Sequence, residues 1–310
     1  MEIILFFALG ILAALIKSDL EIPEQLSKSL SIFLLLSIGL KGGHELSSAD
    51  NLSGFLPVVL IGLAFCVVIP IVFFFLFKNK LGDNNAGALS ACYGSVSAVT
   101  FITAQSVLDS RNIPHSGFMV ATMALMEIPA ILIGIYFYQK FSQTKKIVSR
   151  IQLFRSVITS KSVVLLVGGF FIGFMMDPAS WQGFSPLIVG CFKGVLCFFL
   201  LDLGMIAQRQ LKDILKYKVS ILVIALIMPI IFGSIALLLS HVFGLSLGNQ
   251  VLISILVGSA SYIAAPAAIK SSIPTANPSL FLGLPLALTF PLNLLVGISY
   301  YVYASQWLSS

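Results

Sequence analysis

The chain has 310 residues, of which 58% are hydrophobic and only 10% charged, and its mean hydropathy is +1.04. Soluble domains are about one quarter charged, so this composition excludes that class and predicts an all-α polytopic membrane protein. The formal net charge of +6 does not indicate nucleic-acid binding, because the basic residues follow the loops of a membrane protein.

Apolar stretches long enough to cross a bilayer predict ten transmembrane helices. The predicted spans are 2–17, 26–42, 53–78, 84–109, 115–140, 161–177, 185–208, 217–242, 247–270 and 277–305. The first is predicted to be a retained helix, because it lacks a basic start and a small-residue cleavage site. With the amino terminus outside, only Lys41, Arg111 and Lys193 of the 18 basic residues fall on the outer side. This asymmetry predicts that both termini face out.

The two halves of the chain carry similar marks in the same order. The first half has IGL at 38–40, Pro70, YGSVSA at 93–98 and MEIPAILIGIYFY at 126–138; the second has LGM at 203–205, Pro229, VGSASY at 257–262 and LTFPLNLLVGISYY at 288–301. The match predicts two five-span repeats, 1–140 and 161–310, joined by a basic cytoplasmic linker at 141–160. Because five is odd, the halves would cross the membrane in opposite senses, as in the inverted repeats of many secondary transporters.

Small and polar residues interrupt spans 4 and 9 of this plan. Gly94 and Gly258 allow the backbone to unwind, and Pro266 has no N–H group to donate. The second half of an interrupted helix begins with unpaired N–H groups at the positive end of its dipole, which bind anions. Hydroxyl donors are predicted at the same depth: Ser95, Ser97, Ser259, Ser261 and Tyr262. The breaks therefore predict a central site for a compact anion, although small residues also serve close helix packing.

Glu127 lies in the fifth predicted span, two residues before Pro129. An ionisable residue in a membrane helix is costly and indicates function, and carboxylate oxygens suit hard cations. The matching place in the tenth span has Thr289, with Asn293 one turn later, and Thr100 follows the first break. These four residues are the predicted Na⁺ ligands. The alternative for Glu127 is a buried carboxyl group that is hydrogen-bonded between helices.

The remaining polar residues indicate no enzyme, no cofactor besides Na⁺ as coupling ion, and no transition-metal site. Asp202 is placed either to pair with Arg209 or to act in transport, and the sequence leaves both open. The phosphate-cradling motif G-x-x-x-x-G-K is absent, which excludes an ATP motor on this chain. The cysteines fall in apolar stretches and are predicted to act as small hydrophobic residues, whereas the histidines are too scattered for a metal site: Cys66, Cys92, Cys191, Cys197; His44, His115, His241.

Three stretches resemble the sodium-dependent bicarbonate transporter superfamily: GSASYIAAPAA with IPTANPSLFLGLPLALTFPLNLLVGI, EIPEQLSKSLSIFLLLSIGLKGG, and GALSACYGSVSAVTFITA. The resemblance implies a ten-helix Na⁺/HCO₃⁻ symporter in a bacterial inner membrane. A core domain would move against a gate domain, and the chains would form trimers. The Gly-Ser motifs at 94–97 and 258–261 would frame the substrate. The family's acidic residue before the fifth-span proline is typically Asp, whereas this chain has Glu127.

The resemblance also implies regulation by a small cytoplasmic signalling protein, although nothing at 141–160 indicates such a partner here. The sequence thus predicts a Na⁺-coupled permease that imports a small inorganic anion, bicarbonate before others, by alternating access. Two alternatives remain open: a symporter of a small organic anion on the same plan and a cation/proton antiporter. A receptor or scaffold is a further possibility.

Overall fold

A computed structural model of the chain describes residues 2–48, 54–141, 151, 154–155 and 158–309. All regular secondary structure in these ranges is helical, as predicted from the composition. The predicted basic linker 141–160 lies mostly outside the described residues.

The helices of the first half are α1 Glu2–Leu15, α2 Glu24–Ser47, α3 Phe55–Gly94, α4 Ala98–Ser110 and α5 Phe118–Phe141. The second half contains α6 Lys161–Met175, α7 Pro178–Ser185, α8 Phe192–Ile214, α9 Val219–Val242, α10 Leu247–Val257, α11 Ala264–Ser272, α12 Pro278–Phe281, α13 Phe290–Leu292 and α14 Ile298–Ser309. Three π-helical turns join neighbouring helices, at Pro186–Gly190, Pro285–Thr289 and Asn293–Gly297. Non-helical backbone at Gly82, with φ 79°, divides α3 into two helices.

Six helical stretches of the described residues are long and apolar enough to cross a membrane: Glu24–Ser47, Phe55–Ser110, Phe118–Phe141, Pro178–Ile214, Val219–Val242 and Pro278–Ser309. Shorter apolar helices lie in the three other predicted spans: α1, α6 and α10. The chain is therefore a multi-pass helical membrane protein.

The seventh predicted span, 185–208, is too short at both ends. Helical structure begins at Pro178, where the Asp177 side chain accepts a hydrogen bond from the Ser180 amide at 2.8 Å and Pro178 occupies the first helical position. This start matches the preference for Asp as N-cap and Pro at N1. The π-helical turn at 186–190 then carries the chain into α8, which continues to Ile214. The predicted span stops at 208 because Arg209, Lys212 and Asp213 lower the hydropathy of the last turns of α8.

The halves pack against each other through close glycine contacts. The second helix of the first half, α2, packs on α6, where a Cβ on Gly39 would come within 2.7 Å of the Leu166 carbonyl oxygen. In the second half, α8 belongs to the second predicted span and packs on α1, where a Cβ on Gly204 would overlap the Phe7 carbonyl oxygen. In both cases the second predicted span of one half contacts the first span of the other. Gly39 and Gly204 belong to the motifs IGL and LGM.

Each break packs against a proline of its own half. A Cβ on Gly94 would overlap the ring of Pro70, and a Cβ on Gly258 would lie 2.9 Å from the Pro229 carbonyl oxygen. Real Cβ atoms do not approach other atoms so closely. Glycine is therefore required at both breaks because a neighbouring helix occupies the place of a side chain.

Candidate functional site

The two breaks lie in direct contact. Helix α3 ends at Gly94 and α4 begins at Ala98, whereas α10 ends at Val257 and α11 begins at Ala264. The Ser261 amide donates to the Cys92 carbonyl oxygen at 2.8 Å, and the Ser97 amide donates to Ser259 Oγ at 3.0 Å. Backbone groups that leave their own helices at one break are thus satisfied at the other. The interruptions predicted for spans 4 and 9 are both present.

Most of the predicted substrate-binding hydroxyls already have protein partners. Ser95 Oγ donates to the Glu127 carbonyl oxygen at 3.3 Å, and Ser259 Oγ donates to the Leu256 carbonyl oxygen at 2.9 Å. Ser97 Oγ accepts from the Thr100 amide at 3.2 Å, and Ser261 Oγ accepts from the Ala265 amide at 3.1 Å. Ser97 and Ser261 therefore stabilise the starts of α4 and α11. Ser95 and Ser259 hold the breaks in place.

A small cavity lies between the two breaks, with room for about one water molecule. The starts of α4 and α11 border it through Ala98 and Ala264, so two positive helix ends meet at one point. Ser97, Ser261 and Tyr262 line it as well. Ser95 and Ser259 do not line the cavity, and their hydrogen bonds stabilise the breaks next to it. Three of the five predicted hydroxyls therefore border the cavity.

Glu127 also borders this cavity and lacks a full set of partners. Its side chain is 4% exposed, and its Oε2 atom is buried without a hydrogen bond. Burial of an unpaired carboxylate is costly, so the group requires a cation or a proton. The position of Glu127 next to two positive helix ends separates it from an ordinary interhelical hydrogen-bonding residue.

The other three predicted Na⁺ ligands are buried but differ in their surroundings. Asn293 Nδ2 donates to the Gly258 carbonyl oxygen at 2.8 Å, and Asn293 therefore contacts the second break. Thr100 Oγ1 donates to Ser97 Oγ at 2.7 Å at the first break. The Thr289 hydroxyl lies 2.9 Å from the Tyr93 hydroxyl and donates to the Ala225 carbonyl oxygen at 3.0 Å. Thr289 thus links three elements of the fold, and it is not among the residues that line the cavity.

Two residues of the cavity wall lie outside both interrupted segments and were not predicted from the sequence. Leu35 of α2 and Ser162 of α6 face the breaks across the cavity. Ser162 lies in the first turn of α6, directly after Lys161. The sequence there indicates a helix start, capped by Ser160, and no binding site. The cavity therefore lies at the contact between the α2–α6 pair and the two breaks. No local signal in the sequence indicates such a contact.

The remaining sequence predictions concern metals and ion pairs. Within the described part of the chain no group of three or more His, Cys, Asp and Glu side chains could hold a metal ion. All four cysteines are free, and Cys191 is exposed. Asp202 accepts a hydrogen bond from Ser27 Oγ at 2.5 Å. Arg209 attracts the Asp202 carboxylate electrostatically and lines the same pocket, so the two residues interact without a direct salt bridge.

The fold and the paired breaks define a polytopic helical membrane protein with an interrupted-helix site at its centre. The family model of the Na⁺-dependent bicarbonate transporter superfamily matches residues 2–306. The chain therefore belongs to that superfamily, which is a family of transporters rather than enzymes. No curated protein matches the chain.

The link between the breaks gives a first testable prediction. The substitution Ser259→Ala removes the acceptor of the Ser97 amide and leaves a buried donor unsatisfied, so we expect a loss of about 1–3 kcal/mol of stability. Thermal unfolding of the detergent-purified protein measures it. Ser29→Ala is the matched control, because the Ser29 hydroxyl is exposed and bonds only to its own helix. Equal unfolding midpoints for the two variants would contradict the link.

Proposed function

We propose that the chain is a Na⁺-coupled symporter that imports bicarbonate by alternating access. The observation that carries the proposal is the joint position of two helix starts and one unpaired carboxyl group at a single cavity. Two positive helix ends attract an anion without a full positive charge, which suits a small monovalent oxyanion. The Glu127 carboxylate attracts the accompanying cation. Membership of the superfamily supports both choices of solute.

The Na⁺ site is proposed to form around Glu127, with oxygen ligands from the neighbouring breaks. Asn293 and Thr100 contact these breaks and would supply or orient neutral ligands. Na⁺ at Glu127 would neutralise the carboxylate and leave the two helix starts free to attract bicarbonate. Binding of the anion would thereby depend on Na⁺. Thr289 does not line the cavity and would act by holding helices together through Tyr93 and Ala225.

The proposed architecture is a ten-helix, five-plus-five inverted repeat. Support comes from contacts that occur once in each half: the Gly94–Pro70 and Gly258–Pro229 approaches, and the exchange of first and second helices between halves. Inverted repeats of this kind allow one group of helices to move against the other around a fixed site. The orientation with both termini outside a bacterial inner membrane, and assembly as a trimer, belong to the same proposal.

The driving force follows from charge balance. One Na⁺ moving inward gains about 2.3 kcal/mol per 100 mV of inside-negative potential, and one HCO₃⁻ loses the same amount. Symport of one of each is electrically neutral, and the Na⁺ gradient alone would drive uptake. We expect uptake to persist when the membrane potential is collapsed and to stop when the Na⁺ gradient is collapsed.

The test is uptake of ¹⁴C-bicarbonate by proteoliposomes that contain the purified chain. We expect accumulation with an inward Na⁺ gradient and none when K⁺ replaces Na⁺. Excess acetate or succinate should leave the rate unchanged, whereas strong competition would favour an organic-anion symporter. Proton release on addition of Na⁺ without uptake would favour an antiporter. Liposomes that move none of these solutes would refute the proposal and leave a receptor or scaffold.

A further inference from the structure

A second cavity, separate from the one between the breaks, lies among α2, α4 and the start of α8. Its volume is about 70 Å³, several times the room that one water molecule needs. Polar and charged side chains from three elements line it: Ser37, Lys41, Gln105, Ser106, Asp109 and Lys193. Nothing in the sequence predictions used this group of residues together.

Two hydroxyls in this second cavity, called the outer cavity below, have no hydrogen-bond partner. Ser37 and Ser106 are 1% and 3% exposed, and both Oγ atoms are buried without a hydrogen bond. Elsewhere in the chain, buried serines in helices donate to the carbonyl of the preceding turn, as Ser90 does to Ala86 and Ser254 to Gln250. An unsatisfied buried hydroxyl costs about 1–3 kcal/mol, so these two groups indicate a polar ligand.

The charges around the outer cavity favour an anion as that ligand. Asp109 is its only acidic lining residue within the described chain, and both carboxylate oxygens are taken: Oδ2 lies 3.0 Å from Lys41 Nζ, and Oδ1 lies 3.0 Å from His115 Nε2. Glu45 forms an ion pair with the same Lys41, with 3.7 Å between Oε1 and Nζ. Lys193 is exposed and forms no ion pair in the described ranges. A free ammonium group and two free hydroxyls remain.

The outer cavity and the central cavity between the breaks are lined by the same two helices, α2 and α4. Leu35 and Ile38 are three residues apart on one face of α2, and Leu35 lines the central cavity while Ile38 lines the outer cavity. On α4, Val99 lines the central cavity and Ser106 the outer cavity, about 10 Å further along the helix axis. The two cavities therefore lie along the same face of α4, one behind the other.

We propose that this outer cavity is a binding site for a small oxyanion on the way to the central site, with Lys193, Ser37 and Ser106 as its ligands. The proposal rests on the proposed function for the identity of the transported anion. The unpaired charge of Lys193 attracts anions to the outer cavity, and the hydroxyls of Ser37 and Ser106 replace part of their hydration shell. The site sets how easily bicarbonate is captured and leaves the maximal rate of transport to the central site.

The first test neutralises Lys193. We expect Lys193→Gln to raise the KM for bicarbonate about threefold or more, with the maximal rate within twofold of the unchanged chain and a weaker dependence of KM on ionic strength. Lys212→Gln is the matched control, because Lys212 is an exposed lysine near the opposite end of the same helix α8. An unchanged KM in Lys193→Gln, or an equal rise in both variants, would overturn the outer site.

The second test does not depend on transport. In a Ser106→Cys variant, the rate at which methyl methanethiosulfonate modifies residue 106 is followed by mass spectrometry of the peptide. We expect bicarbonate to slow this reaction at least threefold compared with gluconate at equal Na⁺, and Lys193→Gln to remove the protection. Protection by Na⁺ without bicarbonate would indicate a cation site, and absence of protection would indicate that no ligand binds there. Either result overturns the proposal. Protection together with a failure of uptake would refute the proposed function alone.

Discussion

Replacement of the Glu127 carboxylate by an amide is expected to abolish Na⁺-dependent uptake. Glu127 is the one acidic side chain at the central cavity in the described chain, and its Oε2 atom has no protein partner. A Gln of the same shape keeps the packing and removes the charge, which costs about 2 kcal/mol or more of Na⁺ binding, or about thirtyfold in affinity. Transport of ¹⁴C-bicarbonate against Na⁺ concentration in proteoliposomes measures this loss.

Two companion variants separate a Na⁺ ligand from a structural residue. Glu127→Asp keeps the charge with a shorter side chain and is expected to retain Na⁺-dependent uptake with a changed Na⁺ affinity. Asp213→Asn is the control for charge alone, since Asp213 pairs only with Lys216 at an exposed position. Na⁺ should raise the unfolding midpoint of the unchanged chain and of Asp213→Asn but not of Glu127→Gln. Unaltered Na⁺ dependence in Glu127→Gln would rule out the carboxylate as ligand.

The positions of the helices and of their interruptions could be predicted because their signals are local. Long apolar stretches determine where helices cross, and Gly94 and Gly258 indicate where the backbone leaves them. The gap predicted between the third and fourth spans contains Gly82, whose positive φ divides α3. The helix start at Pro178 is an exception, because it depends on the Asp177 cap, which hydropathy averaged over a window does not detect.

The partners of the polar groups could not be predicted in the same way. Ser259 was expected to bind substrate, yet its hydroxyl bonds to the Ser97 amide, 162 residues earlier in the chain. Thr289 was predicted as a neutral Na⁺ ligand from its place two residues before a proline, and its contact with the Tyr93 hydroxyl has no sign in the sequence. Which hydroxyl stays free depends on helices that approach from elsewhere in the fold. Leu35 and Ser162 line the candidate site for the same reason: helix packing brings α2 and α6 to it, and the local sequence does not indicate that contact.

The one-residue difference between the fifth and tenth spans has a structural explanation. Four residues lie between Pro129 and Gly134, whereas five lie between Pro291 and Gly297. The π-helical turn Asn293–Gly297 takes up the additional residue in the second half. The same turn places Asn293 where its amide donates to the Gly258 carbonyl oxygen. The mismatch between the proposed repeats therefore coincides with a contact to the second break.

A methyl group at either break glycine is expected to destabilise the protein and stop transport. In Gly94→Ala the new Cβ would overlap the Pro70 ring and lie 3.0 Å from Ala130 Cβ, and neither neighbour has a rotatable end that can move aside. Overpacking of this kind costs about 1–3 kcal/mol, and the end of α3 would have to move away from the second break. Gly168→Ala is the control, because nothing lies within 4 Å of its Cβ position in α6 and alanine favours the helix. Thermal unfolding should rank Gly94→Ala below the unchanged chain and Gly168→Ala at or above it, with uptake lost only in the former. A Gly94→Ala protein of normal stability and full activity would mean that the Pro70 contact does not position the break.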